Sequence, residues 1–429
     1  MLALFVLFLP GAALPAVKAG NAPFFDLISV EAAITPPIAE YIEKSIAEAA
    51  LGKAEGLIIR LDTPGGLDTA MRDIAKAILN APLPVILYVA PAGARAASAG
   101  VIIVVSAHVA AMAPGTNIGA AHPVGIGIGI GGQTDKTMNR KVENDAAAYV
   151  RGIAKKRGRN EEWVEKAVRK SESIPAEEAL RLNVIDIVAV DNNSLLQQIE
   201  GRKVDVKGVE RTIAAAGTVV HEKAMGTRDR ILSALSNPNI AYILLLIGLA
   251  GLYFEFSTPG VILPGVVGGI SLIMAFFAMQ TLSINYAGIA LIIFAIILFI
   301  AEIKVISHGI LSVGGVIALL IGSLMLFKTS GSSLQVSWSV LIPAVLITSL
   351  FFIAIVGIAM KAQLRPRQGG KEGMAGREGI AVSDVHTEGK ALVDGEYWDA
   401  FSDVPIAGGS KIRIIEVEHL KLKVEPMEK

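Results

Sequence analysis

A stretch of small residues at positions 91–100 carries a single hydroxyl group, that of Ser98. It follows a strongly β-prone segment, Leu83–Ala90, and its small side chains would let a substrate backbone approach closely. A serine at the point where a strand turns into a helix is typical of a nucleophile, because the free N–H groups of the helix N-terminus can bind a developing negative charge. The same pattern also fits an ordinary alanine- and glycine-rich turn with an incidental serine.

A second turn, Asp62-Thr63-Pro64-Gly65-Gly66, follows an apolar segment predicted to be a buried strand. We expect Gly66 to adopt a positive φ and to direct its N–H into the site. Together with the backbone N–H of Ala99, it would form an oxyanion hole with two donors. Pro-Gly-Gly usually marks a plain turn, but its position one βα unit before Ser98 favours the functional interpretation.

A serine nucleophile needs a base to remove its proton, and Lys141 is the first candidate. On a helix, Lys141 shares a face with Asn144 and Asp145, either of which could orient its amine. A lysine acts as a base only when neutral, so its side chain would have to be desolvated. Most lysines are instead exposed on a polar helix face.

The second candidate base is His122, in the segment Ala120-Ala121-His122-Pro123-Val124. Histidine is the commoner base, because its unperturbed pKa already suits neutral pH. It would need an acidic partner to fix its tautomer, and Asp186 and Asp191 are the available residues. The residue pattern by itself leaves both bases open.

The elements that must position these residues alternate between strand and helix from Pro23 to about Val190. Such alternation predicts an α/β domain with a parallel sheet covered on both faces. Residues 191–238 are polar and mixed, which indicates a linker and an amphipathic approach to a membrane. The glycine- and isoleucine-rich run at 125–132 is predicted to be a loop. It lacks the Lys-Ser/Thr ending of a phosphate-binding loop, so we do not expect nucleotide binding there.

The composition indicates a membrane protein, because 53% of the 429 residues are hydrophobic and only 18% are charged. Lys+Arg and Asp+Glu are equal at 39 each, and no basic patch interleaved with aromatics suggests nucleic acid. The absence of cysteine excludes disulfides and thiol catalysis. The six histidines lack metal-site spacing, so neither a metal nor another cofactor is expected. Residues 1–19 have the character of a signal peptide or N-terminal anchor, which predicts export of the segment that follows.

Five apolar runs follow in the region 238–361, and a bilayer core needs about twenty such residues in a helix. The last three runs fit this length, whereas Glu255, Pro259 and Pro264 bound or interrupt the first two. Five spans are therefore predicted, with four as the alternative. The basic flank Lys361–Arg367 is expected to be cytoplasmic, which agrees with an exported N-terminal domain followed by five spans.

The C-terminal segment, residues 370–429, has short alternating runs separated by glycines. This spacing predicts a small five-stranded barrel of the OB type. Such barrels often bind oligonucleotides, but Tyr397, Trp398 and Phe401 lie together near a turn instead of forming a spread stacking surface. We therefore expect the barrel to dock a protein.

Four of these segments together resemble the NfeD family of membrane-bound serine peptidases, of the Clp-protease and signal-peptide-peptidase-A clan. They are Asp-Thr-Pro-Gly-Gly at 62–66, Gly-Ala-Arg-Ala-Ala-Ser-Ala-Gly at 93–100, Gly-Thr-Asn-Ile-Gly-Ala-Ala-His-Pro-Val at 115–124 and Lys-Val-Glu-Asn-Asp at 141–145. The resemblance implies a crotonase/Clp-like protease domain at 20–225, a transmembrane block at 238–361 and an NfeD-type barrel at 370–429. It also implies a dyad of Ser98 and Lys141, with Gly66 and Ala99 as oxyanion donors.

The family resemblance further implies an endopeptidase of the inner membrane that cleaves hydrophobic segments, with a stomatin-like membrane protein as substrate or partner. The protease domain is expected to be extracytoplasmic, and the chain to contact lipid and form a homo-oligomer. A non-catalytic scaffold for a stomatin-like partner is the alternative, although a relic need not retain Ser98, Lys141 and the glycine pair together. An acyl-CoA enzyme is disfavoured, because an exported domain has no ready supply of coenzyme A.

Overall fold

The computed structural model describes residues 23–123, 136–257, 262–282, 284–305, 307, 309–327, 335–363 and 371–427. The chain divides into two compact units, residues 1–297 with 313–349 and residues 298–312 with 350–429. The predicted leader at 1–19 and the predicted glycine-rich loop at 125–132 lie outside the described residues.

The N-terminal part of the first unit is built on a parallel sheet. Among the described residues it has six strands, in the order β11-β1-β2-β3-β5-β8. The apolar segment before the glycine turn, predicted to be a buried strand, pairs on both sides and is almost entirely buried, which explains its composition. The strands are β1 (Phe24–Glu31), β2 (Gly56–Asp62), β3 (Val85–Val89), β5 (Val109–Met112), β8 (Ile187–Val188) and β11 (Val219–Glu222).

Helices connect these strands and cover the sheet, which confirms the predicted α/β architecture. Helix α1 has prolines in its first turn, where the missing N–H groups would have no intrahelical partner. The helices are α1 (Pro36–Leu51), α2 (Asp68–Leu79), α3 (Ala99–Ser106), α4 (Lys136–Arg157), α5 (Glu161–Arg169), α6 (Ala176–Arg181), α7 (Asn192–Ile199) and α8 (Thr227–Leu235).

A smaller sheet lies at the carboxyl end of the main strands. Its described strands are β4 (Arg95–Ala97), β6 (Asn117–Gly119) and β7 (Ser173–Pro175), in that order. Strand β4 therefore separates β3 from the Ser98 turn, so the serine does not follow the main sheet directly. Helix α6 begins at Ala176, because residues 173–175 pair with β6.

The segment predicted to be a linker is largely folded onto the α/β domain. Residues 203–206 and 209–212 form an antiparallel hairpin, β9 (Lys203–Val206) with β10 (Val209–Thr212). Strand β11 then pairs with β1 at the edge of the main sheet. Strand β11 pairs with a strand that lies far away in the sequence, and such pairing leaves no pattern in the local residues. The polar composition therefore indicated a linker instead of a strand.

Five apolar helices occupy the predicted runs in the described part of the chain: α9 (Pro238–Ser257), α10 (Ile262–Thr281), α11 (Tyr286–Lys304), α12 (Ile310–Met325) and α13 (Trp338–Gln363). Three of them, α9, α10 and α13, are long and apolar enough to cross a membrane, whereas α11 and α12 are shorter. Of the last three runs, which were expected to fit this length, α13 does and α11 and α12 do not, whereas the first two runs do fit it. Pro264 interrupts nothing, because it lies in the first turn of α10, where no backbone N–H is needed.

The second unit contains a barrel of five strands, closed in the order β12-β13-β14-β16-β15, as the sequence predicted. Its core is a cluster of small and branched apolar residues that alternate with exposed positions along each strand. The unit also includes a short helix before the first strand. These elements are α14 (Lys371–Met374), β12 (Glu378–Ala381), β13 (Gly389–Val393), β14 (Glu396–Phe401), β15 (Lys411–Glu418) and β16 (Lys421–Pro426).

Candidate active site

Ser98 stands at the junction between β4 and α3, with φ 53° and ψ −114°. A residue other than glycine rarely adopts such a backbone conformation, and persists in it only when the surroundings hold it there. Here the Ser98 N–H donates to the Gly119 carbonyl at 3.0 Å, and the following helix is buried along its whole length. Within the described residues the hydroxyl makes no hydrogen bond, so it is available to a substrate.

The Ser98 side chain lies directly against Gly65. A Cβ atom built on Gly65 would lie 2.6 Å from the Ser98 Cβ and 3.1 Å from its Oγ, so only a hydrogen fits there. Gly65 has φ 115°, and its N–H donates to the Thr63 hydroxyl at 3.1 Å. The prediction of a positive φ at Gly66 was therefore wrong by one residue. The left-handed position is Gly65, because it turns the chain past the serine.

Gly66 is held from its other side by Ile34. The Ile34 N–H donates to the Gly65 carbonyl and the Leu67 N–H donates to the Ile34 carbonyl, both at 2.8 Å. Both hydrogen bonds of this parallel bridge are thus made by the two neighbours of Gly66, not by Gly66 itself. The Gly66 N–H therefore points away from Ile34. The structure thus brings the glycine turn and Ser98 together, and within the part of the chain that it describes the Gly66 amide has no acceptor.

The Ala99 N–H belongs to the first turn of α3, where backbone donors have no intrahelical acceptor. Ala99 is buried, and its amide is the one that follows the proposed nucleophile. The N-terminus of α3 also contributes its dipole to any negative charge that develops beside Ser98. An oxyanion hole of Gly66 and Ala99 is consistent with this arrangement.

Lys141 lies on the N-terminal half of α4 and is exposed. At the other end of α4, the Arg157 guanidinium donates to the Ser106 carbonyl at the end of α3, at 2.9 Å. The C-terminal ends of α3 and α4 therefore lie together, and Asp145, one turn after Lys141, contacts Arg72 near the beginning of α2. The structure contains no hydrogen bond between Lys141 and Ser98 among the described residues.

The residues predicted to orient the Lys141 amine have other partners. Asp145 accepts a 2.6 Å hydrogen bond from Arg72, and Asn144 accepts a 2.8 Å bond from Arg169. That detail of the prediction was wrong. The sequence signal had been the helical spacing alone, which cannot show that arginines from two other helices reach these side chains.

His122 is half-buried just beyond β6, with its Nδ1 atom 2.9 Å from the Val168 carbonyl. A carbonyl only accepts, so Nδ1 carries a proton and donates it to this bond. Neither predicted acid reaches this ring. Asp186 binds Arg159 and the Ala110 N–H, and Asp191 caps α7 by accepting from the Ser194 N–H.

A buried polar cluster behind the site was not predicted. His108 accepts a hydrogen bond from the Val85 N–H at Nδ1, and its Nε2 lies 3.4 Å from an Arg157 nitrogen. Burial and the neighbouring charges of Arg157 and Arg159 lower the pKa of His108 to about 3. Arg159 in turn binds Asp186 at 2.6 Å and two carbonyls at the end of α3. This cluster anchors the C-terminal end of α4 to the main sheet.

Two further residues of the site escaped the sequence reasoning. Thr63 is fully buried, and its hydroxyl fixes the turn through Gly65. Gly119 has φ 149°, and a Cβ on it would lie 2.2 Å from the Glu172 carbonyl oxygen. Both residues lie in segments that carried the family resemblance. The motifs therefore included Thr63 and Gly119, but they did not show how either residue shapes the site.

Comparison with known proteins places each part of the chain in one family. Residues 25–206 match the NfeD1b N-terminal domain, residues 239–358 the NfeD integral membrane domain, and residues 371–426 the NfeD-like C-terminal, partner-binding domain.

Two similar proteins span nearly the whole chain. The membrane-bound protease PH1510 of Pyrococcus horikoshii is 36% identical over 408 residues, which cover 92% of this chain and 91% of that protein. The membrane protein NfeD1b of Bacillus subtilis is 27% identical over 456 residues, covering 99% of this chain and 97% of that protein.

A solved structure is also similar to part of the chain. It is the 1510-N membrane protease specific for a stomatin homolog from Pyrococcus horikoshii, 34% identical, with a TM-score of 0.44 and coverage of 50% of this chain and 99% of that one. Three NfeD domain models match the chain in the expected order, and a relative is 36% identical over about nine-tenths of the chain. The protein therefore belongs to the NfeD family of membrane proteins.

Proposed function

We propose that Ser98 is the nucleophile and Lys141 the general base of this membrane-bound serine protease, with Gly66 and Ala99 as the oxyanion donors. The observation that carries the proposal is the contact between Ser98 and the glycine turn. Ser98 is held in a rare backbone conformation, against a residue that leaves room only for hydrogen, beside two amides that have no acceptor among the described residues.

The reaction follows from this arrangement. The Ser98 Oγ attacks the carbonyl carbon of the scissile peptide bond while Lys141, in its neutral form, takes the hydroxyl proton. The negative charge on the carbonyl oxygen is bound by the N–H groups of Gly66 and Ala99. Lys141 then gives the proton to the leaving amine. Water, deprotonated by the same lysine, hydrolyses the acyl-enzyme and regenerates the Ser98 hydroxyl.

The conformation described here has not assembled the dyad, because Lys141 is exposed and has no hydrogen bond to Ser98 within the described residues. Residues 136–141 form the first turns of α4, and a bound substrate segment would cover this side of the site. Catalytic hydrogen bonds often tighten only when substrate binds. Substrate binding is therefore expected to desolvate the lysine and bring it to the serine.

The substrate is proposed to be an extended hydrophobic segment of a membrane-associated protein. A stomatin-like protein is the expected partner, since the similar protease from Pyrococcus horikoshii is described as specific for a stomatin homolog and the barrel matches a partner-binding domain. We further propose that the protease domain is extracytoplasmic and the barrel cytoplasmic, because the flank at 361–367 is the most basic membrane edge. Lipid contact and a homo-oligomer remain predictions of the sequence.

The dyad is tested with the full-length protein in detergent and a fluorogenic peptide of apolar residues. We expect Ser98→Ala and Lys141→Ala each to lower kcat by about 10³-fold or more. Lys141→Arg should be equally inactive, because arginine keeps the charge but does not lose its proton. Lys155→Ala, an exposed lysine on the same helix, is the matched control and should keep full activity.

His122→Ala distinguishes the two bases. Retained activity supports the lysine, whereas loss with His122→Ala and not with Lys141→Ala would overturn the dyad. Full activity of Ser98→Ala would overturn the nucleophile assignment.

A further inference from the structure

The Arg72 side chain connects the beginning of α2 to the face of α4 that carries the proposed base. It donates to Asp68 on its own helix at 2.8 Å and to Asp145 on α4 at 2.6 Å. Its guanidinium also lies over the Tyr149 ring, 4.4 Å from the ring centre. Helix α2 starts immediately after the Gly65-Gly66 turn, so Arg72 joins the oxyanion turn and the lysine helix through one side chain.

Lys141, Asp145 and Tyr149 are spaced at i, i+4 and i+8, so they share one face of α4. A lysine and an aspartate at this spacing are close enough to form an ion pair, which would favour the charged form of the amine. In this structure the Asp145 carboxylate is bound to Arg72 instead. Lys141 is thereby left without the counter-ion that its own helix would offer.

The same arrangement occurs on the other side of Lys141. Glu143 forms an ion pair with Arg169 at 3.2 Å, and Arg169 also binds Glu165 at 2.7 Å. Arg151 makes a further ion pair with Glu165.

The neighbouring helices carry further charged groups among the described residues. Helix α2 adds Asp68, which is bound to Arg72, and the exposed Asp73 and Lys76, whereas α3 has no charged residue. Helix α5 adds the exposed Glu161 and the ion pair of Glu162 with Lys166. The remaining charges near the lysine on its own helix are Lys136 and Arg140. Each acid within four residues of Lys141 is thus held by an arginine from another helix.

We propose that Arg72 is a positioning residue of the reaction, which keeps the Asp145 carboxylate away from Lys141 so that the lysine amine can give up its proton. This inference rests on the proposed role of Lys141 as the general base. Arg72 touches neither the nucleophile nor the described oxyanion donors, so its effect on catalysis passes through Asp145.

The test is the pH dependence of kcat/KM for the full-length protein in detergent with the fluorogenic apolar peptide. The rising limb of this profile reports the ionisation of the base in the free enzyme. Arg72→Gln frees Asp145 to pair with Lys141, so the midpoint of the rising limb is expected to move to higher pH by about half a unit, the size expected for an exposed ion pair. At a pH below the midpoint the rate should fall by about three-fold.

The double variant Arg72→Gln/Asp145→Asn separates this role from a structural one. This double variant lacks the ion pair between positions 72 and 145, but it has no carboxylate at position 145 that could pair with Lys141. The midpoint of its rising limb should therefore return to the wild-type value. The single variant Asp145→Asn should also have the wild-type midpoint. Arg151→Gln removes an ion pair between α4 and α5 and serves as the matched control with an unchanged midpoint. An unshifted midpoint in Arg72→Gln, or a shifted one that the second substitution does not restore, would overturn the inference. A rising limb that persists in Lys141→Ala would instead overturn the role of the lysine.

Discussion

Gly65 and Ser98 are in contact so close that the glycine has no room for a side chain: a Cβ on Gly65 would lie 2.6 Å from the Ser98 Cβ. Both residues have a positive φ, 115° and 53° respectively. The turn after β2 and the turn before α3 therefore fix each other. Ser98 can keep its unusual backbone conformation only while this contact and the hydrogen bond to Gly119 hold it.

Gly65→Ala is accordingly expected to inactivate the protease and to lower the free energy of unfolding by about 1–3 kcal/mol, from strain and overlap with Ser98. Gly152→Ala is the control, since a Cβ there meets nothing within 4 Å and alanine favours the helix. Peptide cleavage and thermal unfolding of the two variants check this. A fully active Gly65→Ala protein would show that the contact does not position the serine.

The buried His108 predicts a dependence of stability on pH. Its pKa is about 3 in the folded protein and 6.5 when exposed, so the unfolded chain binds the extra proton between these values. The stabilisation from the neutral imidazole is fully present above pH 6.5 and is lost as the pH falls below it, by up to about 1.4 kcal/mol per pH unit. The melting temperature should therefore fall between pH 6.5 and pH 5, and His108→Asn should weaken that fall. An equal fall in both proteins would contradict the assignment.

The ion pair between Arg159 and Asp186 is expected to be structural. The Arg159 side chain is only 2% exposed, and it also binds the carbonyls of Val105 and Ala107. Arg159→Ala leaves these acceptors unpaired and should cost about 3 kcal/mol of stability. Arg181→Ala, which removes a pair from a side chain 73% exposed, should cost less than about 1 kcal/mol. Similar losses in the two variants, measured by thermal unfolding, would argue against a structural role for the buried pair.

Close packing of α9 against α10 depends on glycine. A Cβ on Gly268 would lie 2.9 Å from backbone atoms of Gly251, whereas one on the adjacent Gly269 would meet nothing within 4 Å. Gly268→Ala should therefore separate the two helices and lower the melting temperature of the detergent-solubilised protein, while Gly269→Ala should not. Equal melting temperatures in the two variants would show that the helices pack differently in the membrane domain.

The sequence predicted the elements of this protein well, because hydrophobic periodicity is a local property. The strand–helix alternation, the buried strand before the glycine turn and the five-stranded barrel all occur where the pattern indicated them. What could not be predicted depends on contacts between distant segments. Strand β11 pairs with β1 across almost two hundred residues, and nothing in its four residues distinguishes it from a linker strand.

The candidate site shows the same division. The motifs indicated which segments meet, and the structure brings the glycine turn and Ser98 together. The motifs did not show that Gly65, not Gly66, carries the positive φ, because either glycine tolerates it. Nor did helical spacing reveal that Arg72 and Arg169 occupy Asp145 and Asn144, since both arginines come from other helices.

The most direct test of the account is covalent labelling of the full-length protein with a fluorophosphonate, followed by mass spectrometry of the labelled peptide. We predict that the label is on Ser98, that Lys141→Ala slows its attachment by about 10³-fold or more, and that a small alkylamine added to this variant partly restores the rate. Labelling at another residue, or an unchanged rate in Lys141→Ala, would contradict a nucleophile at Ser98 activated by Lys141.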